Sequence, residues 1–304
     1  MPQPIHPEYP TPEGIDSWCD ELISGSEGLN YTASVVEHEA PKEAMPRHTP
    51  DPHYVRFEIP DQPVFYGYWQ PVQGPGPAPL LLHVPGYGAE MSAHPELVQA
   101  GYNVLHINPL GYCTPDGYDL SKQVNDFWPV LPDTAASEGK QGYVDWLSQA
   151  LVAARWAVEQ DSVSADRVGC FGTSQGGGGS LLLGSLLKGK GVRAVAADLP
   201  FLTNFPLMAT LPTPGAYGVV LSGEGPSPGG WRGLGFIDTL SHAHRLNMPV
   251  MLTAAKDDEA TPPASIEALF DRLPGIRSYT EMEGGHCYRA ELIPLATAWF
   301  RLYL

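Results

Sequence analysis

Short apolar runs without alternation recur along this chain: Leu80–Val84, Val104–Ile107, Val168–Phe171, Val192–Ala197 and Val250–Thr253. A strand with one face in water alternates apolar and polar side chains, whereas a run apolar throughout is buried on both faces. Between these runs lie stretches of helical period. Val144, Leu147, Leu151, Ala154 and Val158 recur at spacings of three and four, which predicts a helix from about Tyr143 to Gln160 with one apolar stripe. Further helices are predicted at about 177–187, 264–273 and 290–302, and a strand near 277–282. Strands and helices in this alternation need a mostly parallel sheet with helices on both faces, an α/β fold. Val55, Phe57 and Ile59 alternate with polar neighbours. The turn Pro60-Asp61-Gln62-Pro63 and the run Val64–Trp69 follow, an antiparallel hairpin at one edge.

Residues 1–53 are polar and proline-rich and read as an N-terminal lead-in with one helix around Asp16 to Ser24; residues 54–304 read as the α/β domain. Two long segments interrupt the alternation, Asn108–Gly142 and Leu199–Asn247, and long segments in compact domains are usually functional. The second, residues 199–247, reads as a cap insertion over the carboxyl edge of the sheet, where open α/β sheets bind ligands. Aromatic residues in both segments, including Tyr112, Phe127, Phe201 and Trp231, are candidates to line a substrate pocket; Tyr112, Phe201 and Trp231 are the chosen substrate contacts.

Charge narrows the partners. Thirty-four Asp and Glu against seventeen Lys and Arg leave a net charge of −17, which repels phosphate backbones and anionic lipid surfaces. No nucleic-acid or membrane partner is expected. No apolar run reaches the ~18–20 residues that span a bilayer, and Met1–Pro12 lacks the basic and apolar regions of a signal peptide. Cys19, Cys113, Cys170 and Cys287 form no CxxC pair and read as free thiols of a cytoplasmic protein. No ligand cluster has zinc spacing, so neither a metal nor a cofactor is expected.

The chemistry is concentrated at Gly172-Thr173-Ser174-Gln175-Gly176, a G-x-S-x-G directly after a predicted strand and before a predicted helix. A turn this sharp strains the serine backbone and brings the flanking positions so close that only small residues fit. It holds Ser174 out at a helix N-terminus, where the dipole and N–H groups favour a developing anion. A serine nucleophile needs a base, and the base needs an orienting acid. In strand–turn–helix settings of this kind the chain order is serine, acid, histidine. The run Val250–Thr253 leads into Asp257-Asp258-Glu259, then Pro262-Pro263. Asp258 is the favoured acid and Asp257 stays open as the alternative. The last predicted strand leads into Gly284-Gly285-His286, and His286 is the base. Two backbone N–H groups should hold the oxyanion: Gln175, next to the serine, and Tyr87, in the turn Pro85-Gly86-Tyr87-Gly88.

Four segments together resemble a known family: His83-Val84-Pro85-Gly86-Tyr87-Gly88, the Gly172–Gly179 elbow, Leu199-Pro200-Phe201-Leu202-Thr203-Asn204-Phe205, and Asp258 through Pro262-Pro263. They look like the acetyl xylan esterase and cephalosporin C deacetylase family of the α/β-hydrolase superfamily, from about residue 55 to the end. The resemblance implies an α/β-hydrolase fold and a serine esterase that removes acetyl groups from sugars and related small molecules without a cofactor. It implies Ser174, His286 and Asp258 as the triad, with Tyr87 and Gln175 as oxyanion donors. Two positions depart from the family: Leu110-Gly111-Tyr112 stands where it has Arg-Gly-Gln, and Cys287 follows the histidine where it has Glu. The expected partner is a small-molecule or oligosaccharide ester, and the oligomeric state, a homo-oligomer included, stays open. The same triad could serve a peptidase, amidase, thioesterase or acyltransferase, and a non-catalytic ligand-binding relative is the reading from another class.

Overall fold

The computed structural model describes residues 5–37, 53–88, 92–123, 128, 141–212, 217–221, 225–287 and 291–304. Among the described residues are eleven strands: β1 (Thr32–Glu37), β2 (His53–Glu58), β3 (Phe65–Gln70), β4 (Ala78–Val84), β5 (Asn103–Asn108), β6 (Cys113–Thr114), β7 (Gly117–Tyr118), β8 (Val163–Thr173), β9 (Val192–Asp198), β10 (Val250–Ala255) and β11 (Arg277–Met282). All but β6 and β7 join one sheet in the order β1-β2-β3-β5-β4-β8-β9-β10-β11. The pairs β1/β2, β2/β3 and β3/β5 are antiparallel. From β5 onward every pair is parallel. The continuous apolar runs are the central parallel strands, and β4, β5 and β10 are buried along almost their whole length.

The pleat sends alternate side chains to opposite faces. Leu80, Leu82 and Val84 of β4 join one core with Ile15, Trp18, Leu147, Leu182 and Ile266, so helices Pro12–Glu27, Gln141–Val158, Gln175–Leu186 and Pro263–Arg272 cover that face. Leu81 joins Val104, Phe171, Ala196 and Met251 beneath helices Pro95–Gln99 and Leu292–Tyr303, through Leu97, Leu292 and Phe300. Each central strand therefore places its odd and even residues in different cores.

One difference from the sequence reading matters. The first 53 residues, read as a lead-in with one helix, also supply β1, which pairs Thr32 with Glu58 and Val35 with Val55. Its sequence, Thr-Ala-Ser-Val-Val-Glu, carries little apolar alternation because it is an edge strand, and Val35 is exposed. Segment 199–247 has, among the described residues, the short helices Phe205–Met208, Gly218–Leu221, Pro228–Gly235 and Thr239–His242. Asp238 ties it down: its buried carboxylate accepts hydrogen bonds from the Asn204 N–H, the Phe205 N–H, the Leu240 N–H and the Tyr9 hydroxyl. Among the described residues no helix is long and apolar enough to cross a membrane.

Candidate active site

Strand β8 ends at Thr173 and a helix begins at Gln175, so Ser174 is the whole connection. It takes φ +59°, a conformation non-glycine residues rarely hold without support. The support is backbone bonding: Ser174 N–H donates to Asp198 O at 2.8 Å, and Phe201 N–H donates to Ser174 O at 2.9 Å. The flanking glycines are steric necessities. A Cβ on Gly172 would stand 2.5 Å from Val84 O, and one on Gly176 would stand 2.2 Å from the same oxygen. The elbow is thus pressed against the end of β4 and the start of the Pro85–Gly88 turn.

The loops after β10 and β11 meet beside this elbow. Lys256 N–H donates to Met282 O at 3.0 Å and Asp257 N–H to Gly284 O at 2.9 Å, fastening one loop to the other. Asp258 is buried and Asp257 is exposed. The Asp258 Oδ1 accepts the Ala260 and Thr261 N–H groups, both at 2.8 Å, and Oδ2 accepts the Thr261 hydroxyl at 2.9 Å. Oδ2 also lies 2.8 Å from His286 Nδ1, and His286 Nε2 lies 2.8 Å from Ser174 Oγ. Burial pushes the Asp258 carboxyl upward, but the hydrogen bonds from His286 and Thr261 outweigh it and hold the group below the usual carboxylate range. An ionised carboxylate can only accept, so Nδ1 carries the imidazole proton and Nε2 turns its lone pair to the serine hydroxyl. Of the two sequence alternatives, Asp258 is the one that lies beside His286.

Ser174 and His286 open onto a cleft of about 1290 Å³, whose lining includes His83, Gly86, Tyr87, Cys287 and Arg301. Tyr87 is exposed, and its hydroxyl accepts the Trp128 N–H at 3.0 Å. Gln175 is buried at the first helical position beyond the serine. The aromatic candidates lie elsewhere, and none of the three is among the described residues of the cleft wall. Tyr112 is buried and stacks on Trp128, ring centroids 5.0 Å apart. Phe201 packs on Tyr217 at 4.4 Å, and Trp231 stacks on His6 at 4.4 Å, near the chain's start. Phe127 lies outside the described residues.

Sequence reasoning missed two groups. Thr261, which braces the acid, sits three residues beyond it, and that Asp-x-x-Thr spacing was the available signal. The second is a cluster of buried histidines, His83, His94 and His106, whose ring nitrogens lie within 4.8 Å of one another. No ligand motif in the sequence announces it; the three rings come together only in the fold.

A nine-stranded, mostly parallel sheet that presents an elbow serine, a buried carboxylate and a histidine after β8, β10 and β11 defines an α/β hydrolase. A family model for acetyl xylan esterase (AXE1) matches residues 7–289, and the chain belongs to that family, as a serine carboxylic ester hydrolase. No curated protein matches it. Among solved structures it is similar to an acetyl xylan esterase from Paenibacillus sp. R4, with TM-score 0.76 and 20% identity over 99% of this chain and 98% of that one. Acetyl xylan esterase 1 from Thermoanaerobacterium sp. superposes with TM-score 0.74 and 18% identity, over 96% and 94%. An acylaminoacyl peptidase from Pyrococcus horikoshii superposes with TM-score 0.64 and 16% identity, over 83% of this chain and 41% of that one. At these identities the structures share the fold.

Proposed function

We propose that this chain is a short-chain esterase that removes acetyl groups from acetylated carbohydrates or related small molecules. Ser174 is the nucleophile, His286 the general base and Asp258 the orienting acid. The observation that carries the reading is the unbroken line from Asp258 Oδ2 through His286 to Ser174 Oγ, with 2.8 Å at each step. Ser174 Oγ attacks the ester carbonyl as His286 Nε2 takes its proton. The resulting imidazolium stays beside the Asp258 carboxylate, which stabilises it and fixes its orientation. The backbone N–H groups of Gln175 and Tyr87 hold the oxyanion: one begins the helix next to the serine, and the other belongs to the turn against the elbow. His286 then protonates the departing alcohol. Water, activated by the same nitrogen, releases the acid from the acyl-enzyme.

The acetyl preference rests on membership of the acetyl xylan esterase family. The open cleft supports a small or oligosaccharide alcohol portion. Four cysteines outside any disulfide, three of them buried, support a reducing, cytoplasmic setting. The test is intact-mass analysis after fluorophosphonate treatment, wild type against Ser174→Ala, followed by p-nitrophenyl esters of rising chain length. One adduct that vanishes in the variant, with turnover highest on acetate, is the expected result. Labelling without ester turnover moves the assignment to an amidase or transferase. No labelling of the folded chain removes the activated serine and leaves a ligand-binding relative.

A further inference from the structure

We propose that His83, His94 and His106 form a binding site for one divalent transition-metal ion of the zinc type, separate from the serine machinery. His83 and His106 are register partners on the parallel strands β4 and β5, so both rings project from the same face. The next residue in that row is Phe171 of β8. His94 comes from the loop before helix Pro95–Gln99, and its N–H donates to the buried Gln70 Oε1 at 2.8 Å, which sets its position from a third element. All three histidines are buried. The Phe171 ring stacks on His83, centroids 4.6 Å apart, and meets His94 edge-on at 5.1 Å, an apolar wall on one side of a polar centre.

The nitrogens converge as metal ligands do. His83 Nδ1 lies 2.6 Å from His106 Nδ1 and 2.9 Å from His94 Nε2, and one ring nitrogen from each of the three histidines falls within 4.8 Å of the others. Zinc ligated by imidazole at ~2.0–2.1 Å in a tetrahedron keeps its nitrogens about 3.4 Å apart, so the 2.6 and 2.9 Å pairs would open by about 0.5–0.8 Å around an ion. An imidazole nitrogen has either one hydrogen or one in-plane lone pair, enough for one linear bond, yet His83 Nδ1 faces two other nitrogens. A cation at the centre accepts a lone pair from each ring. The three ligands identified are imidazoles, and imidazole donors favour zinc, cobalt, nickel or copper over magnesium or calcium. His83 and His94 also line the cleft, which provides a route for the ion and room for a water in the fourth position. An ion there would clamp β4, β5 and the His94 loop together, one residue before the Val84 carbonyl against which the elbow is pressed.

The experiment uses the full chain, stripped with a chelator and dialysed. Cobalt(II) is titrated in as a spectroscopic probe and zinc is measured by equilibrium dialysis. We expect one equivalent of each, visible cobalt bands of a four-coordinate site, and a higher melting temperature with zinc. His106→Gln and His94→Gln, checked for folding by circular dichroism, should each weaken zinc binding at least tenfold, whereas Ser174→Ala should bind like wild type. X-ray absorption of the wild-type zinc complex covers the case in which the variants fail to fold: a first shell of nitrogen and oxygen is expected. A sulfur ligand would assign the ion to Cys287 and overturn the proposal. So would the absence of stoichiometric binding to folded wild type, or binding that persists in both histidine variants. None of these readouts depends on esterase activity.

Discussion

Replacing Asp258 with Asn separates charge from structure at the centre of this site. The asparagine Oδ1 can still accept the Ala260 and Thr261 N–H groups that the aspartate Oδ1 holds at 2.8 Å, so the loop keeps its anchor. We expect stability to change by no more than about 1 kcal/mol. The other half of the side chain becomes an NH2 group facing His286 Nδ1. A donor there forces Nδ1 to accept, moves the ring proton to Nε2, and leaves nothing to take the Ser174 proton. The substitution also removes the negative partner of the imidazolium. Two unit charges at roughly 4 Å and an effective dielectric near 20 attract by about 4 kcal/mol. His286 is partly open, with 29% of its side chain exposed, and screening trims this to about 3 kcal/mol. At ~1.4 kcal/mol per decade the charge alone predicts a fall in kcat/KM of at least a hundredfold, and the wrong tautomer adds to it. The assay is p-nitrophenyl acetate turnover with thermal melts in parallel, and Asp257→Asn is the control because that residue is exposed. Asp258→Asn within tenfold of wild type, or an equal loss in Asp257→Asn, would refute the assignment.

Gly176→Ala places a methyl 2.2 Å from Val84 O and 2.7 Å from Pro85 O, so the elbow or the Pro85–Gly88 turn must move. We expect about 1–3 kcal/mol of destabilisation and slower fluorophosphonate labelling; labelling at the wild-type rate would show the contact to be soft. Thr261→Val deletes the hydroxyl that donates to Asp258 Oδ2 at 2.9 Å and should lower kcat about tenfold at constant KM, a reading lost if KM alone responds. His242 is fully buried between Ser185 Oγ and Phe236 O, and burial depresses its pKa to about 4. The unfolded chain, with an imidazole near 6.5, takes up this proton first, so the contribution is complete above about pH 6.5 and shrinks as pH falls toward 4, by roughly 3 kcal/mol in all. Melting temperatures from pH 7 to 4.5 should decline less steeply in His242→Gln, and parallel declines would refute the linkage.

The central sheet was readable because burial on both faces leaves a mark in composition. Each of β4, β5, β8, β9 and β10 contains a short apolar run, and each run is where the structure places a strand. Strand β1 left no such mark. An edge strand in water spends little apolar sequence, and Thr32–Glu37 is recognisable as a strand only through its partner β2. The elbow was readable for a different reason. Its function depends on contiguous residues whose steric demands, two glycines against one carbonyl, are written within five positions.

What the sequence concealed depends on register and packing at a distance. Asp257 and Asp258 are adjacent and chemically identical, and only the turn's geometry decides which is buried among N–H donors. Trp231 and Phe201 have the composition of a pocket lining, yet the packing of segment 199–247 turns one toward His6 and the other toward Tyr217. The histidine cluster is the extreme case. His83 and His106 are 23 residues apart and become neighbours because the chain leaves β4, passes through a helix and returns as the adjacent parallel strand in one register. A slip of one residue would send the two rings to opposite faces and abolish the site. A parallel sheet can therefore assemble ligand sets with no sequence spacing at all. In this chain the same strand end that braces the serine elbow through Val84 O carries, one residue earlier and on the opposite face, a ring of the proposed metal site.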